Sequence, residues 1–281
     1  RFINEKQLHF QAALVASHGH TSFHLPARKM TAQLGDGAAI AAVTGLPVVS
    51  DLRAMDVALG GQGAPIVPIG EKLLFHGYDF FLNIGGIANI SINTSPYLAF
   101  DICPANRVLN MLSGEAGQAF DRDGELAAAG TIHTSLLDTL NALPYYAQAA
   151  PKSLANDFGT DIVYPLIRQS GCNPNDALRT YTEHIAIQVA NALVSRPPGA
   201  SHRLLVTGGG ALNRFLIDLI RARLVPAKTE VVVPDEKLVN YKEALVMAFI
   251  GVLRWRQENN VMASVTGASR SLTSSSWAAR V

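Results

Sequence analysis

Phe81-Leu82-Asn83-Ile84-Gly85-Gly86-Ile87-Ala88-Asn89-Ile90-Ser91 interrupts an apolar, strand-like run with an Asn-x-Gly-Gly turn and then resumes it. Adjacent glycines between β-favouring segments allow positive φ, and without Cβ atoms their N–H groups approach an anionic oxygen closely. Alone, the Gly-Gly dipeptide reads more readily as an ordinary hairpin.

A second glycine turn lies far downstream. Arg203 to Thr207 reads as a buried strand, Gly208, Gly209 and Gly210 follow at its end, and Ala211 to Leu224 has helical apolar spacing at Leu212, Phe215, Leu216, Leu219 and Ile220. Strand, glycine loop and helix in that order place a loop where open α/β sheets bind ligands. A plain strand-to-helix connection fits the same residues, since neither a dinucleotide fingerprint nor a Walker lysine is present.

Composition sets the bounds. The 281 residues are 48% apolar and 16% charged, enough for two medium cores, and the net charge of +1 gives no electrostatic case for nucleic acid or an anionic membrane. Cys103 and Cys172 lack Cys-x-x-Cys spacing, which suits a reducing cytoplasm better than a disulfide framework or a zinc site. The apolar runs are too short for a membrane span. Arg1 to Glu5 looks like the inside of a helix already under way, so residues upstream are expected; 264–281 reads as a loop or weakly held tail.

Strands and helices alternate along the rest. Strands are expected at Gln11 to Ser17, Leu46 to Ser50, Tyr97 to Phe100 and Val231 to Pro234, and helices at Asp36 to Thr44, Asn106 to Leu112, 174–195 and 242–257. This is an α/β pattern.

Polar residues collect at the strand ends. Asp51, Arg53 and Asp56 precede Gly60-Gly61-Gln62-Gly63: the guanidinium suits a carboxylate or hydroxyls, and the carboxylates accept from hydroxyls, although a surface ion pair beside a loop fits too. Asp101 stands at a strand end before Pro104 as a candidate general base, or as the N-cap of the next helix. Glu243 complements a helix dipole or lines a cleft. His18, His20 and His24 suit hydrogen bonding better than a metal, for which no side chain is assigned.

Five segments carry a resemblance. Asp51 to Pro65, Asn83 to Asn89, Val206 to Asn213, Lys242-Glu243-Ala244 and Val265 to Ala268 resemble, in order, the motifs of the anhydro-N-acetylmuramic acid kinases. The resemblance implies the actin-like ATPase fold, with two RNase H-like domains around a nucleotide cleft, here 1–78 on the sugar side and 79–281 on the nucleotide side. It implies that Asn83, Gly85, Gly86 and Asn89 hold phosphate, and that Gly208, Gly209, Gly210 and Asn213 lie against the adenosine.

It also implies the reaction. Water attacks the anomeric carbon of 1,6-anhydro-N-acetylmuramic acid from cell-wall turnover, the bridge opens, and O6 takes the γ-phosphoryl group of ATP with Mg²⁺. Asp101 would activate the water, while Asp51, Arg53, Asp56, Gln62 and Glu243 would serve the sugar. A cytoplasmic enzyme follows, and a homodimer as in many members, though no residue here marks an interface. Another sugar or acyl-phosphate kinase of this fold, or a non-catalytic ATP-binding chaperone-like module, is the alternative.

Two departures qualify the resemblance. Asp101-Ile102-Cys103-Pro104-Ala105-Asn106 replaces the family's Asp-Thr-Gly-Pro-Gly-Asn, which implies an altered phosphate approach or substrate preference. The family's first phosphate loop, Gly-Thr-Ser-x-Asp-Gly, is not in the chain, so activity of the chain as given depends on residues expected upstream of Arg1.

Overall fold

The computed structural model describes residues 11–155, 157–193, 201–271 and 276–278. The helix expected around Arg1 to Glu5 lies outside them. In chain order the strands are β1 (Val15–Ala16), β2 (His20–Leu25), β3 (Met30–Leu34), β4 (Val48–Ser50), β5 (Phe80–Ile84), β6 (Ile87–Ile92), β7 (Leu98–Pro104), β8 (His202–Thr207), β9 (Thr229–Val232) and β10 (Ser276–Ala278).

The chain forms two compact units, residues 77–242 and residues 1–76 with 243–281. The sequence suggested one boundary, after residue 78. A second crossing, at Lys242–Glu243, corrects this: Val246, Met247, Ile250 and Leu253 pack with Val49, Leu52, Ile66 and Ile69 in the core of the first unit.

Unit 77–242 is built on a five-stranded sheet in the order β7-β6-β5-β8-β9. β6 is antiparallel to β5 and to β7, while β8 runs parallel to β5 and β9 parallel to β8. An antiparallel meander extended by parallel strands on the other side of the first strand is the RNase H-like arrangement. The middle strand β5 buries Phe80, Phe81, Leu82 and Ile84 on both faces, which explains an apolar run without alternation. Helix Pro174–Leu193 buries Leu178, Tyr181, Ile185 and Val189 at helical spacing, and the Tyr181 hydroxyl donates to the Pro104 carbonyl at 2.8 Å.

The other unit pairs β1 parallel and β10 antiparallel to β4, with β2 and β3 as a separate hairpin. The helix expected over Asp36 to Thr44 forms as Gly37–Thr44, and Asp36 caps it by accepting from the Ala39 N–H. The stretch read as a C-terminal tail instead contributes the helical turn Ala263–Thr266 and strand β10. Pairing with the fully buried β4 supplies what its Ser, Thr and Ala content does not advertise.

Candidate functional site

The Gly85–Gly86 turn joins β5 to β6, with Asn83 opposite Asn89 in the ladder. Neither glycine takes the positive φ that the sequence suggested. Their use is steric: a Cβ at Gly85 would meet nothing closer than Asn83 Nδ2 at 3.5 Å, and one at Gly86 nothing closer than Arg107 at 3.9 Å, so the turn stays open. The turn's carbonyls face the helix Asn106–Glu115. Gly86 O accepts from the Ala105 N–H at 2.8 Å and Gly85 O from the Asn106 N–H at 3.0 Å, satisfying donors that a helix start leaves orphaned. The exposed Gly86 N–H has no partner among the described residues and is the turn's open donor.

Parallel pairing of Asn83 with Thr207 sets the second glycine loop beside this turn. Here two glycines are required. Gly208 has φ +83°, and a Cβ there would sit 2.7 Å from Asn83 Oδ1; a Cβ at Gly210 would sit 2.2 Å from Ile84 Cγ2. Gly209 has space, with Asn106 Nδ2 nearest at 3.5 Å. Asn106 also donates to the Ile84 carbonyl at 3.0 Å, so its amide spans both loops. The expected helix from Ala211 starts only at Arg214, after a tight turn at Gly209–Leu212 that leaves Leu212 46% exposed. Asn213 caps that helix, its Oδ1 accepting from Leu216 N–H at 3.0 Å.

Asp101 does not end its strand, and it is not a helix cap. β7 continues to Pro104, and the register slips from Asn89↔Asp101 to Ala88↔Cys103, making Ile102 the extra residue of a β-bulge. Bulges re-aim side chains beside active sites. Ile102, Cys103 and Ala105 are all buried in the core, and burial pushes the Cys103 thiol's pKa up, so the three altered residues of the Asp101–Asn106 motif are taken up by packing. Asp101 Oδ2 accepts from Leu154 N–H at 2.9 Å and Ser153 Oγ at 3.1 Å. Its backbone N–H donates to Lys152 O at 3.0 Å, and its carbonyl accepts from the Tyr145 hydroxyl at 2.7 Å. Tyr145, Lys152 and Ser153 went unnoticed in the sequence; the only signal was a Tyr-Tyr pair shortly before a Pro-Lys-Ser loop.

In the other unit Arg53 is fixed by its neighbours. Its Nε and Nη2 donate to His18 Nε2 at 3.0 and 2.8 Å, and Nη1 donates to Gly63 O at 2.5 Å. Arg has only donors, so His18 accepts at Nε2 and carries its proton on Nδ1, which reaches Gly19 O at 3.0 Å. Burial lowers the Arg53 pKa, and the nearby Glu243 carboxylate opposes that shift. Asp51 follows β4 at φ +53° and accepts from Ser50 Oγ at 3.2 Å.

Asp56 is fully buried. Its Oδ2 accepts from Gly63 N–H at 2.7 Å and its Oδ1 from Thr266 Oγ1 at 2.7 Å, which places it beneath the glycine loop instead of against a sugar. Gln62 donates its N–H to Thr266 O at 2.8 Å and accepts at its carbonyl from His24 Nε2 at 2.8 Å, leaving its side chain exposed. His24 and His18 are thus hydrogen-bonding residues, as their spacing suggested. Gln62 and Glu243 are exposed and Asp51 and Arg53 half-buried, whereas Asp56 and Thr266 shape the loop.

Comparison with known proteins then decides the family. The profile of anhydro-N-acetylmuramic acid kinase matches residues 1–277. The chain belongs to the anhydro-N-acetylmuramic acid kinase family. It is 36% identical to the anhydro-N-acetylmuramic acid kinase of Vibrio parahaemolyticus over 271 residues, covering 92% of this chain and 73% of the relative. The kinase of Methylobacterium nodulans is 38% identical over 273 residues (92% and 70% covered), and that of Streptomyces coelicolor 39% over 278 residues (92% and 69%). Among solved structures, the activator of the 2-hydroxyisocaproyl-CoA dehydratase from Clostridium difficile, with bound ADPNP, aligns at TM-score 0.43 and 14% identity over 77% of this chain and 72% of that one. That likeness is loose, and the fold assignment rests on family membership and on the strand order of unit 77–242. This kinase family is of the actin-like ATPase class, and its members are phosphotransferases with an alcohol acceptor. No helix among the described residues is long and apolar enough to cross a membrane.

Proposed function

We propose that the protein phosphorylates 1,6-anhydro-N-acetylmuramic acid at O6 with concomitant hydrolytic opening of the anhydro bridge, using ATP. One observation carries the reading. The Asn83–Asn89 hairpin, the Gly208–Gly210 loop and Asp101 lie on neighbouring strands of one sheet, in register Asn83↔Thr207 and Asn89↔Asp101. Phosphoryl transfer asks mainly for positioning and charge neutralisation, which backbone donors in glycine turns supply.

The residues suit a nucleotide. The Gly86 N–H is open, Gly209 has room, and the Thr207 hydroxyl beside the loop is buried with no hydrogen-bond partner among the described residues. Asn83, Gly85, Gly86 and Asn89 would face the phosphates and Gly208 to Gly210 the nucleoside, with Asn213 holding the following helix. Among the described residues no group of three or more His, Cys, Asp or Glu side chains is placed to hold a metal. The donor set of backbone N–H groups, amides and one carboxylate fits Mg²⁺ delivered on the triphosphate, because that ion keeps phosphate and water oxygens as ligands. It would supply charge neutralisation at the γ-phosphoryl group.

Asp101 accepts the proton of the attacking water. Arg53 and Glu243 grip the sugar side together with Asp51 and Gln62, and Asp56 acts through the loop it holds. The same reading places the enzyme in the cytoplasm, where ATP is available, and as a homodimer, which sedimentation at working concentration checks. Incubation of the full-length protein, including the residues expected upstream of Arg1, with ATP, Mg²⁺ and the anhydro sugar should yield the 6-phosphate, with ordinary hexoses and acetate turned over far less. No product from the anhydro sugar overturns the assignment.

A further inference from the structure

We propose that Ser153 is a positioning residue that decides which oxygen of Asp101 takes the proton. The inference rests on Asp101 being the base and adds the part of the chain that aims it. Oδ2 accepts from two donors, Ser153 Oγ at 3.1 Å and Leu154 N–H at 2.9 Å, whereas Oδ1 has no hydrogen-bond partner among the described residues. Two donors on one oxygen fix the carboxylate's rotation and leave Oδ1 as the free acceptor.

The donors are themselves held. Asp101 N–H reaches Lys152 O at 3.0 Å and its carbonyl takes the Tyr145 hydroxyl at 2.7 Å. Burial first, then the Asp101 and Cys103 charges, pushes the Tyr145 phenol's pKa up, so this hydroxyl remains a donor. The Lys152 ammonium closes the segment on itself: it donates to Tyr145 O at 3.0 Å and Tyr146 O at 3.4 Å and sits 4.5 Å from the Tyr145 ring centroid. Residues 145–154 form a saddle around Asp101, and Ser153 is its one side-chain contact with the carboxylate.

The step it serves is balanced. A water proton passes to Oδ1 as the water oxygen bonds to the anomeric carbon. The bond from that carbon to O6 breaks with its electron pair going to O6, and O6 bonds to the γ-phosphorus as the bond to the ADP oxygen breaks. The proton on Asp101 then returns to solvent. A carboxylate free to rotate loses this alignment, and small misplacements of a reacting group cost heavily.

The test compares kcat and KM for Ser153→Ala, Ser153→Thr, Asp101→Asn and Asp101→Asn with Ser153→Ala in the full chain. Ser153→Ala should lower kcat about tenfold while both KM values hold, since the Leu154 N–H remains. Ser153→Thr keeps the hydroxyl at an exposed position and should restore kcat. In the Asp101→Asn background, Ser153→Ala should add nothing. Wild-type kcat in Ser153→Ala beside an inactive Asp101→Asn overturns the proposal alone, as does a change confined to KM. Full activity in Asp101→Asn overturns the base assignment beneath it. Should the chain show no turnover, a crystal structure decides: Ser153 Oγ within hydrogen-bonding reach of Asp101 Oδ2 supports the proposal, and a separation beyond about 3.5 Å from both oxygens overturns it.

Discussion

Unit 77–242 and the unit formed by 1–76 with 243–281 solve different problems with similar materials. In the former, a single stretch of chain makes its own sheet and core, and its Gly208–Gly210 loop closes against Asn83 and Ile84 of β5 with no room for a Cβ at Gly208 or Gly210. In the latter, the glycine loop is held by side chains from distant positions: Asp56 and Thr266, 210 residues apart, meet beneath it, and His18 braces Arg53 from 35 residues away. A loop built from backbone contacts is sensitive to added atoms. One built on buried side-chain bonds is sensitive to their removal.

Several substitutions press on that contrast. Asp101→Asn should lower kcat by about 10²- to 10⁴-fold with ATP affinity kept, measured by steady-state kinetics and calorimetric titration; a loss of ATP binding would tie the carboxylate to the nucleotide instead. Asp56→Ala leaves the Gly63 N–H without its acceptor and takes the 2.7 Å acceptor from the Thr266 hydroxyl, and should destabilise its unit by about 3 kcal/mol. Hydrogen exchange should then show early loss of protection around 56–63 and 262–268 while the sheet of 77–242 stays protected. Equal loss in both units would remove the contrast. Gly210→Ala, whose Cβ would fall 2.2 Å from Ile84 Cγ2, should cost about 1–3 kcal/mol in urea unfolding, against no more than about 0.5 kcal/mol for Gly209→Ala.

A further effect concerns pH. His184 is buried between Asn141, at 2.7 Å, and the Tyr146 hydroxyl, at 3.0 Å, and burial lowers its pKa from 6.5 to about 3. The unfolded chain binds this proton below pH 6.5 and the folded chain does not until about pH 3. Its contribution is therefore complete above the unfolded value and declines as pH falls, by about 1.4 kcal/mol per unit in that window. Denaturation midpoints of wild type and His184→Gln between pH 7 and 5 test this: the wild type should lose more stability on acidification.

Much of the fold was legible because its signals were local. Phe80 to Ile84 could only be a buried strand, and the spacing of Tyr181, Ile185 and Val189 could only be one face of a helix. What escaped depended on pairing between distant segments. Nothing in Ser276–Ala278 announces a strand until β4 stands beside it, and Asp101 reads as a strand end because a bulge at Ile102 leaves no mark in composition. For the site, the glycine turns and Asp101 stood out as residue types, whereas Tyr145 and Ser153 become relevant only once the chain folds back over Asp101. Asp56 was read as a ligand-facing residue, and its contacts with the Gly63 N–H and the Thr266 hydroxyl left no mark in the sequence, since a carboxylate near glycines looks the same whether it faces a ligand or a buried N–H.

The Asp56–Thr266 bond also has a consequence during synthesis. A nascent chain emerging from the ribosome has all of residues 77–242 available before position 266 exists, so the five-stranded sheet can assemble first, as domains do when they fold as units. The loop carrying Gln62 waits, its buried carboxylate without the Thr266 hydroxyl, until residue 266 has been made. Maturation of the two glycine-loop regions is thus ordered in time, with the sheet's loops in place before the Gly60–Gly63 loop.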